Sequence, residues 1–464
     1  MSENRIPVGD IKNISSLSNR YSILPVNDDP WEFTKNAYHG TGGFYSGDYL
    51  VPHDKETNLS RRTLNIYYKN YVKGIIDSLI VPTFSEDAYR VTNNPIFESF
   101  LDNVDSRGND MQEFTKTVLK YTRLHGVCFT IMNSFTQDEL PDTLNEVIGQ
   151  RKYPFISFRT ADEVESYTTD DFDRLTSISF DDGCIVENGK EIEIYRLWTD
   201  EYSVRYIEKD DGIVEIGERL YHNLGFLPVI ATYLDMDSDV IPHPPVYDIA
   251  RMNYGVFNKD SEQRSLERLC GFPTLTIQSK DTDINMNIGA DSLIVYGGEY
   301  DGGVTAPSWI APPSNSLTDL NNLSNELLAK LIEAANVLGA TAVNSGASVK
   351  SGVAMSYEFL GQSFALKTTA KIAENFETMV SIMFGLFISQ PIEYEVKYET
   401  NYRPSQDEVD KKVGLLERLI DMNISGPVTA TLQQELVREV VNYYKINVDT
   451  DQLIQSIATD ANLI

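Results

Sequence analysis

Long stretches of the chain repeat apolar residues every three or four positions, which predicts amphipathic helices. The first stretch follows residue 59 and ends at Pro82. Its apolar positions are Leu64, Tyr68, Tyr71, Val72, Ile75 and Leu79. A second helix is predicted from about Asp110 to His125. Asn109 or Asp110 can cap its start, and Gly126 follows its end.

Three longer helices are predicted in the second half of the chain. One follows Pro242 and ends at Gly271, the next covers 316–338, and the third covers 353–388. At 1.5 Å per residue the third helix would be roughly 54 Å long. The apolar seam predicted for it consists of Tyr357, Leu360, Phe364, Ile372, Phe376, Met379 and Met383.

The period changes to that of strands between residues 127 and 233, where short alternating runs are separated by Asp, Gly and Asn. This pattern predicts an antiparallel β region and not a βαβ repeat. Short strands and turns are also predicted over 274–315, and a strand over 392–402. Residues 1–56 are polar and predict an arm or loop, and 339–352 predict a small, flexible loop.

Composition limits the class of protein. The chain has 464 residues, of which 41% are hydrophobic and 23% charged, as in globular proteins. Its formal net charge is −30, with 39 basic and 69 acidic residues. This balance fits an ordinary acidic protein, or a surface that must tolerate DNA without adhering to it. The three cysteines have no metal or redox spacing, and no apolar stretch reaches the roughly 20 residues of a membrane span. We therefore expect a protein made in the cytosol.

Motifs for catalysis and cofactors fail at identifiable positions. A phosphate-binding loop needs Gly before its Lys, but Val349 precedes Lys350. The segment from Gly346 lacks the second Gly of a nucleophile elbow, and the one from Gly40 fails the dinucleotide fingerprint at Tyr45. We expect no catalytic residues, no cofactor and no hydrolase activity.

No metal site is assigned from the sequence. Asp235, Asp237 and Asp239 resemble the start of a calcium loop, but Val240 replaces the Gly that follows it. A solvated loop is the favoured interpretation, and a weak cation site there stays open. The five His residues are scattered and form no pairs. Basic and aromatic residues mix over 61–71, which favours a helix with a basic face in water over a nucleic-acid contact.

The order of the predicted elements resembles the phage portal family. Three local segments agree with it: the helix of Tyr68–Asp77, the strand of Asn223–Ile230, and the sequence Lys350–Met355 that opens the long helix. The resemblance covers roughly residues 57–464 and implies an α+β fold with wing, stem, clip and crown regions. The implied regions are an N-terminal arm (1–56), wing (57–240), first stem helix (241–271), clip (272–315), second stem helix (316–338), tunnel loop (339–352), long wing helix and strand (353–404), and crown helices (405–464).

The resemblance implies a non-enzymatic virion protein. Its subunits, usually twelve, would form a ring-shaped DNA channel at one capsid vertex, a head–tail connector for genome packaging, retention and ejection. The implied partners are further copies of the chain, double-stranded DNA without sequence specificity, the terminase large subunit, the head–tail adaptor, and the major capsid and scaffolding proteins, with no membrane. The protein would be made in the host bacterial cytoplasm. Another virion structural protein, such as an adaptor, and an enzyme with an unrecognised site remain the alternatives.

Two sets of site residues follow from the resemblance. The tunnel loop would present Asn344, Ser345, Ser348, Lys350 and Ser351 to DNA, with Lys350 its only charge. A position of Lys350 on the first turn of the long helix, facing water, is an equally good interpretation. The clip would dock the partners through Asp281, Asp283, Asp291, Tyr296, Tyr300 and Trp309.

Overall fold

The long helices predicted from the apolar period are present in the computed structural model. The helices are α1 (Pro30–His39), α2 (Gly43–Ser46), α3 (Ser60–Thr63), α4 (Tyr71–Ile80), α5 (Pro95–Leu101), α6 (Met111–His125), α7 (Leu144–Gln150), α8 (Tyr247–Gly271), α9 (Ser314–Val337) and α10 (Gly352–Phe387). Short 3-10 helices occupy Val81–Phe84 and Ala161–Glu163. Among the described residues, none of the helices combines the length and apolarity needed to cross a membrane.

The structure describes part of the chain, and these residues lie within one compact unit, 1–399. The described ranges are 29–52, 59–133, 144–150, 152–187, 189–209, 212–222, 224–235, 239–271, 274–278, 293–296, 308–310, 314–337 and 352–398. The helices predicted after residue 404 lie outside these ranges.

The strands form separate, mainly antiparallel sheets, as the sequence predicts for 127–233. They are β1 (Tyr89–Thr92), β2 (Val127–Asn133), β3 (Phe155–Thr160), β4 (Val164–Thr169), β5 (Leu175–Glu187), β6 (Lys190–Trp198), β7 (Tyr202–Lys209), β8 (Gly212–Tyr221), β9 (Val229–Tyr233), β10 (Thr274–Gln278), β11 (Leu293–Tyr296), β12 (Ser308–Ile310) and β13 (Tyr394–Lys397). The sheet orders are β4-β5-β6-β7-β8, β3-β2-β9, β1-β13 and β11-β10-β12. The fold is therefore mixed α and β, compatible with the predicted α+β class.

The prediction of an arm over residues 1–56 is wrong for 29–50. Pro30 begins α1 behind the capping carboxylate of Asp29, and Gly40 ends the helix in a left-handed conformation. Phe33 and Phe44 are completely or almost completely buried. The many Gly and Asn residues suggested a loop, but the aromatic residues of this segment belong to the core.

The helix predicted before Pro82 is interrupted. Its residues form α3 and α4, and Leu64 between them is 84% exposed. Asn70 caps α4 by accepting a hydrogen bond from the Lys73 backbone N–H (2.9 Å). Helix α6, in contrast, begins and ends as predicted, at the Asp110 cap and at left-handed Gly126.

The apolar seam predicted for α10 is only partly right, and the side chains of its members Tyr357 and Leu360 lie outside the described residues. Phe376 and Met383 are buried, but Phe364 is 73% and Met379 is 47% exposed. The buried face instead includes the small or polar residues Ala365, Thr369, Ala370, Ala373, Glu377 and Ser381. Small residues let a helix approach its neighbours closely, which a search for large apolar residues does not detect.

Candidate functional site: the helix hairpin and its insert

Helices α8 and α9 form an antiparallel hairpin. Gly255 faces Leu327, and Ser324 Oγ donates a hydrogen bond to Asp260 Oδ1 (3.1 Å), so residue numbers rise along one helix as they fall along the other. At one end of the pair, Leu331 and Ala335 join the core cluster that contains Ala250. The other end leads into the segment that carries strands β10 to β12.

Buried polar residues of α8 attach the hairpin to the N-terminal part of the fold. The Asn253 side chain is completely buried. Its Oδ1 accepts hydrogen bonds from the backbone N–H groups of Tyr71 (2.9 Å) and Val72 (3.3 Å), and its Nδ2 donates to the Lys69 carbonyl (3.0 Å). Asn253 therefore fixes the start of α4.

Asn258 makes a second set of contacts one turn further along α8. Its Oδ1 accepts from the Val51 N–H (2.8 Å), and its Nδ2 donates to the Tyr49 carbonyl (3.2 Å). Asp260 then forms an ion pair with Lys69 Nζ (3.0 Å), and the hydrogen bond within this pair raises the pKa of Lys69. Sequence analysis missed these residues. Asn is a poor helix former, so Asn253 and Asn258 in mid-helix were an available signal.

The charges on the hairpin are largely balanced. Helix α8 contains four basic and four acidic residues, whereas α9 contains Lys330 and three acidic residues. Lys259 pairs with Glu262 (2.8 Å) and Lys330 with Glu326 (2.9 Å). Acidic residues outnumber basic ones on the hairpin by seven to five, so its net charge does not attract a phosphate backbone, which binds through Lys and Arg.

The insert between α8 and α9 contains a small sheet. Strand β10 pairs in parallel with β11 and antiparallel with β12, and Thr274 lies opposite Ile310. The Thr276 hydroxyl donates to the Ser308 carbonyl (2.7 Å), which links the two antiparallel strands. The strands predicted over 274–315 are therefore confirmed at these positions.

The structure places only some of the predicted site residues. Trp309 lies in β12 opposite Leu275 and is 66% exposed, whereas Tyr296 ends β11 on the other side of β10. Asp281, Asp283, Asp291 and Tyr300 lie outside the described residues. The tunnel-loop residues Asn344, Ser345, Ser348, Lys350 and Ser351 also lie outside them. For the possible cation site left undecided by the sequence, the structure describes Asp235 and Asp239 but not Asp237. Within the described ranges, no cluster of three or more His, Cys, Asp or Glu residues could hold a metal ion.

A separate polar cleft of about 390 Å³ lies beside α1. It is lined by Asp29, Glu32, Lys35, Asn36, His39, Thr41 and Asp162. Lys35 forms an ion pair with Asp162 (2.7 Å). Behind Asp162, the completely buried His125 has its Nδ1 at 3.4 Å from Asp162 Oδ1, and burial lowers the pKa of His125 to about 4. A histidine buried to this extent has no access to a substrate, so this pair does not resemble a catalytic dyad.

Comparisons with known proteins found structural similarity at low sequence identity. The chain is similar to a chain of the neck of an empty GTA particle computed with C6 symmetry, at 10% identity and a TM-score of 0.43, covering 79% of this chain and 90% of that one. It is also similar to a chain of the virion of a native gene transfer agent (GTA) particle, at 10% identity and a TM-score of 0.41, covering 88% and 94%. No protein-family model and no curated protein matches the chain. None of these comparisons identifies a function.

Proposed function

We propose that this protein is the portal subunit of a phage-like virion, one of a ring of copies that surrounds a DNA channel. The observation that carries the proposal is the order of α8, a small sheet, α9 and the 36-residue helix α10. The antiparallel hairpin corresponds to the stem in this interpretation, and the insert to the clip. Residues 241–271 and 316–338 would line the channel, with 339–352 as the tunnel loop.

The balanced charges of the hairpin support a channel role. DNA that must pass through a ring is slowed by each cation that binds its phosphates, and this retention depends on salt. Lys259 and Lys330 are already paired within their own helices. The hairpin therefore suits DNA that slides and is contacted without sequence specificity.

In this proposal the insert is the docking platform. Trp309 is two-thirds exposed, and large exposed aromatic residues are enriched at protein interfaces. Residues 272–315 would contact the terminase large subunit during packaging and the head–tail adaptor afterwards. The wing, over 57–240 and 353–404, would contact the capsid and scaffolding proteins.

The oligomeric state of the purified full chain tests the proposal. We expect light scattering to give a mass of many copies, and negative-stain images to show closed rings. Rings follow naturally from a head-to-tail interface that closes. A chain that stays monomeric at high concentration, without rings, would reject the portal assignment and favour the alternative of an enzyme.

A second experiment tests the docking platform. In a pull-down with the terminase large subunit, Trp309→Ala should weaken capture by roughly tenfold or more, as expected for an interface anchor. Leu323→Ala is the matched control, because Leu323 is also an exposed apolar residue (48%) but lies on α9. Equal capture of both variants would show that β12 does not dock the terminase.

A further inference from the structure

Three arginines converge on one aspartate at one end of the five-stranded sheet. Asp182 lies 2.6 Å from Arg205 Nε, 3.1 Å from an Arg196 nitrogen and 3.7 Å from an Arg159 nitrogen. The Arg205 side chain is 50% exposed, while that of Asp182 is 13% exposed. Because one carboxylate offsets only one of the three charges, the cluster keeps an excess of positive charge in a chain of net charge −30.

The opposite face of the same sheet end is acidic. Arg196 pairs with Arg205, and the adjacent Tyr195 pairs with Tyr206 and with Asp181, so these two sets of residues point to opposite faces. Glu193 and Glu208 lie two residues from Tyr195 and Tyr206 and share their face. The acidic set consists of Asp181, Glu193, Glu208 and, from β4, Glu165.

A β-bulge lies at the centre of this division. The register of β5 with β6 shifts between Asp181 and Cys184, where Gly183 has a positive φ of 95°. Asp181 and Asp182 point to different sides because successive strand residues alternate between faces, and the bulge gives Asp182 no partner residue on β6. Asp182 instead contacts the arginines, so the acidic and basic charges lie on different faces of one sheet.

Like charges are concentrated in the acidic set of the single chain. Among the side chains that the structure describes, none of the four carboxylates takes part in an ion pair, and Arg219 of β8 is bound by Glu215. Burial and then the charges of Glu208, Glu193 and Asp181 raise the pKa of Glu165. An approaching cationic surface would relieve this repulsion.

We propose that the Asp182-centred arginine cluster binds the acidic set of the next copy of this chain, so that the two faces of the sheet end form a head-to-tail contact. The inference rests on the proposed ring and identifies a surface that joins its neighbours. Charge complementarity selects the occupant: the chain carries the basic patch and its acidic counterpart on opposite sides, as a repeating heterologous interface requires.

DNA is the less favourable occupant of the arginine cluster. A phosphate would meet the Asp182 carboxylate at the centre of the cluster and the four carboxylates on the far side of the same sheet. A polyanion lying along this surface would be attracted by only three arginines, and the acidic set on the far side of the sheet would repel it. Carboxylate side chains of a folded neighbour can instead reach the exposed edge of Arg205 individually.

Charge exchange on β7 tests the proposal. Arg205 and Glu208 are close in sequence and point to opposite faces, so three full-length variants can be compared: Arg205→Glu, Glu208→Lys, and the double variant that carries both and conserves net charge. We expect each single variant to raise the concentration at which rings half-assemble by roughly tenfold or more, because like charges then face each other. The double variant should recover assembly. Arg205→Gln, which removes charge without adding repulsion towards Asp182, checks that the result is not a loss of folding, with circular dichroism as the readout.

The outcomes separate the two proposals. If the wild-type chain forms no rings, the proposed function fails and this interface with it. If the wild type forms rings and the single variants assemble equally well, only the interface is rejected. If the Arg205 variants keep their rings but lose binding to a short DNA duplex, the cluster is a DNA contact and the assignment to a neighbouring copy is overturned.

Discussion

Arg90 and Glu377 are 287 residues apart in the sequence and form a bidentate, buried ion pair. Arg90 donates to both carboxylate oxygens, at 2.9 and 2.8 Å. The Thr115, Tyr394 and Tyr398 hydroxyls donate to the same carboxylate. The pair therefore connects β1, β13 and α6 with the middle of α10.

We expect Glu377→Gln to reduce the free energy of unfolding by about 3 kcal/mol, because it leaves the Arg90 guanidinium buried without a counter-charge. Urea denaturation followed by circular dichroism measures this. Asn375→Ala, on the exposed face of the same helix, is the control and should change stability by less than about 0.5 kcal/mol. A similar small effect for Glu377→Gln would mean that the hydroxyls alone hold α10 in place.

Acid should destabilise the fold through His125. Burial lowers the pKa of His125 to about 4, below the ordinary value of 6.5, so the folded state favours the neutral ring. The unfolded chain binds a proton more readily, and this contribution to stability is complete above pH 6.5 and disappears as the pH falls towards 4. The loss should be about 3 kcal/mol. Thermal melting of the wild type and of His125→Leu between pH 7 and 4 checks it, and parallel curves for the two proteins would contradict it.

The Asn253 side chain should be required for the start of α4. Asn253→Ala leaves the Tyr71 and Val72 N–H groups and the Lys69 carbonyl without this partner, and should cost about 3 kcal/mol. Asn325→Ala, on the exposed face of α9, is the control. Protease should also cleave the Asn253→Ala variant faster between Leu64 and Asn70. Unchanged cleavage would mean that the capping by Asn70 suffices.

Two glycine substitutions should change the free energy of unfolding in opposite directions. Gly126 has a φ of 87°, and a Cβ there would approach Pro242 Cγ to 2.7 Å. Gly126→Ala should therefore destabilise by more than about 1 kcal/mol. Gly74 lies within α4 with nothing near its Cβ position, so Gly74→Ala should stabilise by about 0.5–1 kcal/mol. Chemical denaturation measures the free energy of unfolding of both variants. A change in the same direction for both would contradict the expectation.

Lys350 should affect DNA and not assembly. In the proposed portal, Lys350→Glu replaces one ring of positive charges in the channel, and weakens contacts that are individually small and screened by salt. We expect normal rings with impaired packaging or retention of DNA in virions. Normal packaging and retention in the Glu variant would support the interpretation of Lys350 as a solvent-facing residue of the long helix.

Local signals were sufficient wherever a residue acts on its own neighbours in sequence. The Asp110 cap and Gly126 determine the ends of α6 without help from the rest of the chain. The helix pair around the insert could also be predicted, and its first helix ends at Gly271 as expected. The strands of 127–233 were likewise recognisable from alternation and turn residues.

Features that depend on long-range contacts could not be predicted from local sequence patterns. The break between α3 and α4 depends on Asn253, which lies 182 residues after Tyr71. Glu377 looks like a solvent-facing residue until Arg90 and two tyrosines surround it, so the seam of α10 was placed on Phe364 and Met379 instead. The gathering of Arg159, Arg196 and Arg205 around Asp182 requires contacts among four strands, which no local pattern contains.

The antiparallel hairpin of α8 and α9 affects how the sequence of the chain can change in evolution. Since Thr274 pairs with Ile310, the insert leaves and re-enters the hairpin at nearly the same place. Segments of different length and sequence can be exchanged between such closely spaced ends without disturbing the packing of Asn253 and Asn258 farther along α8. In the proposed portal, the insert that would meet partners is thus free to diversify, while the part that holds the fold stays under constraint.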